Sequence, residues 1–116
     1  MTLGQKQEKF SMYVGMLLNK IHCRGWSVRL GECWRPAEMQ ALYLKTGKTK
    51  ATHSFHEDKL AIDLAYITCN GKEITPAQKK ELGDYWESLD PLNSWGGYFA
   101  FVDMPHFSYG GERKRG

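Results

Sequence analysis

The sequence has few of the features that mark secreted, membrane-spanning or nucleic-acid-binding proteins. No apolar run reaches the roughly 18 residues that a membrane span needs, so we expect no stable insertion into a membrane. The first residues lack the apolar core of a signal peptide, so we expect synthesis in a cytoplasm. The net charge is only +3, and basic residues are mixed with acids except at residues 112–115. We therefore expect no nucleic-acid partner.

Cysteine is also scarce. The chain has three, Cys23, Cys33 and Cys69, and none of them forms a Cys-x-x-Cys pair, which excludes a structural zinc knuckle. In a reducing cytoplasm we expect them to be small buried apolar residues. The sequence contains no repeat, low-complexity segment or linker. We therefore predict a single domain over residues 1–116, monomeric and with no separate binding domain.

What the chain does contain is the composition of a folded soluble domain. Of its 116 residues, 41% are hydrophobic and 25% are charged. This length suits one compact domain with a modest core. A disordered chain would have fewer apolar residues.

The first half of the chain predicts a helix, a strand and a second helix. Apolar residues at helical spacing predict a first helix between an N-cap at Thr2 and a stop at Gly25. Residues 26–30 alternate and predict a strand. Pro36 is placed as the first residue of a second helix, which should end near Gly47. Residues 45–52 are polar and predict a loop.

The second half predicts a strand, a hairpin and a third helix. Residues 60–68 alternate, with Ile62, Leu64 and Tyr66 on one face and Asp63 on the other. Residues 70–71, Asn-Gly, indicate a hairpin turn. A capping box at residues 75–78 opens a helix that Asp90 and the next proline close. Residues 95–107 should form a turn and one or two strands. The predicted class is α+β, with helices packed on a small, mainly antiparallel sheet.

Two histidines and an aspartate suggest a metal site. Asp63 is an acid between Ile62 and Leu64, and a buried carboxylate is costly unless it is paired or binds a metal. His56 precedes this strand, and His106 lies in a second apolar stretch, three residues after Asp103. Catalytic zinc sites use three protein ligands and leave a fourth position for water. A nearby carboxylate is then suited to act as general base.

Each residue of this pattern also has an ordinary structural explanation that requires no metal. Asp63 alone fits an exposed residue on the polar face of an edge strand, and a lone histidine is more often a satisfied core residue than a ligand. His53 is a rival to His56 as first ligand, because residues 53 and 56 have a spacing that chelates on a helix. From the residues alone, a metal-free protein in which the pattern is coincidental stays open.

Four short motifs, taken together, resemble one family. They are Ser54-x-His56, Ala61-x-Asp63, Trp95-Gly96-Gly97 and Asp103-x-x-His106-Phe107. They are similar to those of the zinc peptidases that cut peptidoglycan stem peptides: the D-alanyl-D-alanine carboxypeptidases and, closer, the small L-alanyl-D-glutamate endopeptidases used as phage endolysins. These proteins share a fold with the hedgehog signalling domain. The resemblance covers residues 28–107.

The resemblance implies a role for each site residue. His56, Asp63 and His106 would bind one Zn²⁺ per chain, with His56 preferred to His53 because it has the right offset from Asp63. Asp103 would be the general base. Arg35 would contact substrate or steady the developing oxyanion.

Three further residues are candidates for substrate binding. Ser54 matches a polar residue beside the site in the family. His53 is expected to line the cleft. For Trp95, packing is the ordinary role and contact with substrate the functional alternative. The chain departs from the family pattern at Lys59, where many members have glycine, and at Ser108, where an acid is common.

The function implied is that of an endolysin. We expect a zinc metallopeptidase that cleaves the stem peptide of bacterial peptidoglycan, most readily between L-Ala and D-Glu, for lysis of a host cell. It would be made in the host cytoplasm and act on the wall after release by another factor. The alternatives are a D-alanyl-D-alanine carboxypeptidase and, from another class, a zinc-bearing binding module without turnover. Asp103 argues against the binding module, which needs no general base.

Overall fold

Three α-helices and an antiparallel sheet of five strands form the part of the chain described by this computed structural model, residues 1–49 and 53–111. The α-helices are α1 (Leu3–Cys23), α2 (Ala37–Lys45) and α3 (Pro76–Leu89). The strands are β1 (Ser27–Leu30), β2 (Ala61–Cys69), β3 (Lys72–Glu73), β4 (Asn93–Trp95) and β5 (His106–Tyr109). The predicted α+β class is confirmed. The basic tail at residues 113–115 and the end of the predicted loop, residues 50–52, lie outside the described residues.

The first and third helices begin as the sequence predicts. The hydroxyl of Thr2 accepts a hydrogen bond from the Gln5 backbone, and the Gln5 side chain accepts one from the Thr2 backbone. Thr75 and Gln78 form the same capping box at the start of α3. Such caps satisfy backbone N–H groups that have no partner within the helix, and each stabilises a helix by about 1 kcal/mol.

The second helix differs from the prediction in its start and its buried face. Pro36 is the N-cap, with an extended ψ of 152°, so the helix begins one residue later than expected. The residue of α2 that is fully buried is polar, Gln40, whereas Met39 and Leu42 are exposed. The reason is a hydrogen bond from the Arg35 side chain to Gln40, which satisfies the buried amide oxygen.

Strand β2 lies inside the sheet, and its alternation is interrupted by a bulge. The strand order is β1-β2-β5-β4, with β3 also paired to β2. Arg29 pairs with Tyr66 and the next residue with Leu64, so Ala65 has no partner in this ladder. One extra residue reverses the faces of a strand. Ile67 is therefore in the core, while Tyr66 is half-buried beneath the Arg29 guanidinium. The predicted placement of Tyr66 on the same face as Ile62 and Leu64 is wrong for this reason.

The core lies between the sheet and helices α1 and α3. Trp86 of α3 is fully buried, and its indole N–H donates to the Ser108 carbonyl at 3.0 Å. The rings of Phe10 and Phe107 meet it edge-on, each with centroids 5.9 Å away. This contact attaches both helices to β5 and so fixes the strand that carries His106.

The cysteines divide into two environments. Cys33 and Cys69 pack against the core as partly buried residues, whereas Cys23 is exposed at the end of α1. The expectation of burial is thus wrong for Cys23. Within the described residues, no helix has both the length and the apolar character needed to cross a bilayer.

Candidate metal centre and cleft

The register of the sheet brings Asp63 and His106 together. They are direct partners in the antiparallel pairing of β2 with β5. Cβ atoms of such partners lie about 5 Å apart on the same face, and here His106 Nδ1 is 3.9 Å from Asp63 Oδ1. Because β2 has neighbours on both sides, the alternative that Asp63 is a solvated residue of an edge strand is wrong.

His56 reaches the same place through a short 3₁₀ helix, Phe55–Asp58. Ser54 caps this helix: its hydroxyl accepts from the His56 backbone at 3.1 Å, and the Glu57 side chain accepts from the Ser54 backbone. The chain then turns back into β2. As a result His56 Nε2 lies 3.3 Å from Asp63 Oδ1, and its imidazole centroid is 5.2 Å from that of His106.

Lys59 makes the turn between the 3₁₀ helix and β2. Its backbone is left-handed, with φ 56° and ψ 40°. This is the conformation that glycine adopts without steric cost and that other residues adopt at a cost of about 1–2 kcal/mol. The lysine at this position, where the family pattern has glycine, therefore adds a backbone cost to the turn. The Lys59 ammonium lies 5.9 Å from the Trp34 ring centroid.

His56, Asp63 and His106 fit a zinc ion. Each offers one ligand atom, and the three atoms lie within 4.8 Å of one another. Ligand atoms about 2.0 Å from a tetrahedral zinc are about 3.3 Å apart, so small side-chain shifts complete the set. Asp63 Oδ1 is buried and receives no hydrogen bond from any described residue. A buried carboxylate oxygen in this condition is costly unless a cation compensates it.

Hydrogen bonding orients His56 so that Nε2 would face a metal held by this candidate set. His56 Nδ1 is 3.3 Å from the Cys33 carbonyl oxygen, which can only accept, so Nδ1 carries the proton. The Nε2 lone pair therefore faces Asp63 Oδ1, as in metal-binding histidines whose other nitrogen donates to a carbonyl. Burial raises the pKa of the neighbouring Cys33 thiol above its ordinary value, so in the metal-free protein the thiol stays protonated at neutral pH.

Asp103 lies beside the three ligands in the turn that enters β5. Its Oδ2 is 3.9 Å from His106 Nδ1, and its side chain is 48% exposed. The His106 backbone donates to the Asp103 carbonyl at 3.1 Å, and the Asp103 backbone donates to the Gly96 carbonyl at 2.9 Å. The carboxylate is thus attached to a fixed turn while remaining accessible to water and substrate.

Trp95 and His53 lie away from the cleft wall. Trp95 is 3% exposed, donates its indole N–H to the Met104 carbonyl, and packs on Gly83 and Gly97. The structure places it in the core, where it supports the turn that carries Asp103. His53 is exposed, with Nε2 2.8 Å from Asp58 Oδ2. Neither Trp95 nor His53 is among the described residues that line the cleft, whereas Ser54 is one of them.

Arg35 is held by residues that sequence reasoning did not select. Its Nε donates to Glu32 Oε1 and its Nη1 to Gln40 Oε1, each at 2.6 Å. Its guanidinium also stacks 4.7 Å from the Tyr43 ring centroid. Two features of the sequence could have indicated these partners of Arg35. Gln40 is a polar residue among the apolar positions of α2, and an acid stands three residues before Arg35.

These residues surround one cleft of about 510 Å³. Such a volume is typical of a site for a small molecule or a short peptide. The candidate metal ligands and Asp103 share it with residues from α2 and the segment after it, and with residues from the segment after β4. The residues of these two walls include Tyr43, Lys48, Thr49, Phe99, Ala100 and Phe101.

The fold and the cleft together define a class of protein. A buried His-Asp-His set, an accessible carboxylate beside it and an arginine in the same cleft are the parts of a metal-dependent hydrolase. A sequence profile described as D-alanyl-D-alanine carboxypeptidase matches residues 47–109, which is more than half of the chain. The protein belongs to this family of zinc metallopeptidases, which acts on peptidoglycan peptides. The match includes all three candidate ligands and Asp103 and begins after Arg35. A search among curated proteins found no match.

Proposed function

We propose that this protein is a zinc-dependent peptidoglycan hydrolase that cleaves the stem peptide, most readily between L-Ala and D-Glu, in lysis of a host cell. The observation that carries the proposal is the convergence of His56, Asp63 and His106 in one cleft beside Asp103. Membership of the family supports the peptidase activity and the substrate class. The resemblance of the motifs to small phage endopeptidases supports the choice of bond.

Each residue has a chemical task in amide hydrolysis. Bound zinc would supply a Lewis acid and lower the pKa of a coordinated water to about 7. Asp103 accepts the proton from the attacking water and later delivers it to the leaving amine. Arg35 compensates the negative charge that develops on the carbonyl oxygen. Ser54 acts indirectly, because it caps the 3₁₀ helix that presents His56.

The choice of bond has one rival from within the family. The family description favours removal of a terminal D-alanine, which is a carboxypeptidase reaction. Such a reaction requires recognition of a substrate carboxylate. Among the described residues, two cationic side chains line the cleft, Arg35 and Lys48, and Arg35 is already paired with Glu32. The two reactions give different products, so product analysis separates them.

We further propose that the protein is made in the cytoplasm of the infected cell and reaches the wall after another factor opens the membrane. This part of the proposal rests on the resemblance to endolysins. Its test is lysis of intact cells from within: expression together with a membrane-permeabilising factor should lyse them, and expression of the protein by itself should not.

Digestion of purified peptidoglycan tests the activity directly. The zinc-loaded protein should release fragments with free L-Ala carboxyl ends and free D-Glu amino ends, identified by mass spectrometry. Protein stripped by a chelator should release none, and added zinc should restore release. Free D-alanine in place of these ends would support the carboxypeptidase alternative. With zinc restored, absence of both products would refute the proposed function.

A further inference from the structure

Glu32 is the carboxylate that holds the catalytic arginine. Both Nε and Nη2 of Arg35 contact the same oxygen, Glu32 Oε1, while Nη1 donates to Gln40 Oε1. The Arg35 side chain is only 12% exposed, and Gln40 is 1% exposed. A charge-assisted pair of this kind, largely shielded from solvent, is stronger and better oriented than a surface ion pair.

These contacts leave a defined set of donors for another ligand. A guanidinium carries five N–H groups: one on Nε and two on each terminal nitrogen. Nε and Nη1 each use one hydrogen in their hydrogen bonds, and Nη2 contacts Glu32 Oε1 as an ion pair. Within the described residues, at least one N–H therefore remains on each terminal nitrogen. Two donors in a rigid planar group suit a substrate oxygen that gains negative charge during reaction.

Glu32 serves the arginine rather than the metal ligand beside it. Its Oε1 is 3.8 Å from His56 Nδ1, which is beyond hydrogen-bond distance. The Nδ1 proton is directed to the Cys33 carbonyl at 3.3 Å. The Glu32 backbone has its own attachment, because its carbonyl accepts from the Asp63 backbone at 2.9 Å. The residue is thus tied to the ligand strand while its side chain is directed to Arg35.

We propose that Glu32, assisted by Gln40, is a positioning residue that fixes the guanidinium of Arg35 for the transition state. This inference rests on the proposed function of the same cleft. A free arginine side chain would have to be ordered during each turnover, whereas Glu32 and Gln40 order it beforehand. Misplacement of such a group by about 1 Å costs up to about 100-fold in rate.

A double-mutant cycle tests whether Glu32 acts through Arg35. Glu32→Gln keeps the shape and one acceptor but removes the charge. We expect kcat on a synthetic stem peptide to fall about 10- to 100-fold with KM, zinc content and melting temperature close to wild type. In an Arg35→Met background the same change should alter kcat less than about 2-fold, because interacting residues are non-additive.

A surface pair provides the matched control. Arg24 and Glu81 form a solvent-exposed Arg–Glu pair, at 2.8 and 3.1 Å, and neither residue lines the cleft. Glu81→Gln should leave kcat unchanged. The inference is overturned if Glu32→Gln keeps kcat within about 2-fold of wild type, loses zinc, or reduces kcat equally in both backgrounds.

A second measurement requires no turnover. Hydrogen exchange at Arg35 Nε, followed by nuclear magnetic resonance and assigned with Arg35→Lys, should be slow in the wild type and fast in Glu32→Ala. Exchange in the wild type as fast as in free arginine would overturn the inference. Failure of the wild type to cleave peptidoglycan would instead refute the proposed function, and the exchange result would still decide whether Glu32 holds Arg35.

Discussion

Gly96 and Asp103 are packed so closely that the Asp103 carbonyl oxygen lies 2.0 Å from the position a Cβ on Gly96 would occupy. The same Cβ would lie 2.9 Å from His106 Cβ. The turn that carries the proposed base and the third metal ligand is therefore built directly against the backbone of Gly96.

Gly96→Ala should displace the turn and reduce both activity and stability. Over-packing of a tight site costs about 1–3 kcal/mol, and movement of Asp103 and His106 should lower kcat at least about 10-fold. Urea unfolding and stem-peptide hydrolysis measure the two effects. Gly15→Ala is the control: Gly15 lies in α1 with nothing within 4 Å of its Cβ position. That change should raise stability by about 0.5–1 kcal/mol and leave activity unaltered. Normal activity in Gly96→Ala would contradict the prediction.

Lys59→Gly should stabilise the protein. The left-handed φ of 56° at Lys59 costs a non-glycine residue about 1–2 kcal/mol, partly offset by the greater freedom of glycine in the unfolded chain. We expect a net gain of about 0.5–1 kcal/mol in the free energy of unfolding, measured by urea denaturation.

Two variants isolate the cause of this gain. Lys59→Ala removes the contact with Trp34 but keeps the backbone cost, so it should not stabilise. Lys6→Gly, in the interior of α1, should lose about 1 kcal/mol as glycine does in helices. Loss of stability in Lys59→Gly would show that the lysine side chain contributes more than its backbone conformation costs.

Zinc should stabilise the wild type and His53→Ala but not His56→Ala. A ligand that binds only the folded state adds about 2.7 kcal/mol at 100 times its dissociation constant. His56 Nε2 lies 3.3 Å from Asp63 Oδ1, whereas His53 pairs with Asp58. Melting curves with chelator and with added zinc, together with metal analysis, compare the three proteins. A zinc-dependent shift that survives in His56→Ala and vanishes in His53→Ala would reverse the assignment of the first ligand.

Tyr13 should make stability depend on pH in the alkaline range. Its hydroxyl donates to Asp90 at 2.8 Å, and this hydrogen bond, together with burial, raises the pKa of Tyr13 to about 12. Since an unfolded tyrosine titrates near pH 10, the stabilisation is complete below about pH 10 and is lost as pH rises toward about 12.

Tyr13→Phe should remove this dependence. It should cost about 1.5 kcal/mol at pH 7, the low end for a hydrogen bond to a charged group. The difference in unfolding free energy between the two proteins should shrink between about pH 10 and 12. A difference that stays constant over this range would show that the Asp90 contact does not control the titration of Tyr13.

Sequence patterns predicted the elements well where local rules decide them. The capping boxes at Thr2 and Thr75 and the periodicity of the first and third helices depend on neighbouring residues, and the structure confirms them. The bulge at Ala65 was beyond such rules, because strand alternation continues unbroken in the sequence while the partner strand β1 sets the pairing. Tyr66 was misplaced for that reason.

At the candidate site, too, sequence reasoning identified some residues and missed another. The resemblance of short motifs selected His56, Asp63, His106 and Asp103, and the structure brings these four together. The resemblance could not select Glu32, because the role of this residue depends on how residues 31–35 run back along β2. A hydrogen bond from the Asp63 backbone to the Glu32 carbonyl fixes that path, and no periodicity in the sequence reports it.

Asp103→Asn should abolish hydrolysis while leaving zinc and fold intact. The amide has nearly the shape of the carboxylate but cannot accept a proton, and removal of a general base costs about 100- to 10,000-fold in rate. Zinc content and melting temperature should match the wild type, because Asp103 is proposed as the base and not as a ligand. Asp84→Asn, at an exposed carboxylate of α3, is the control for the substitution itself and should keep activity.

Activity within about 10-fold of wild type in Asp103→Asn would assign the proton transfer to another group. Glu32, which besides the candidate ligand Asp63 is the other acid among the described cleft residues, would then be the residue to test. Zinc loss in Asp103→Asn would make it a ligand instead.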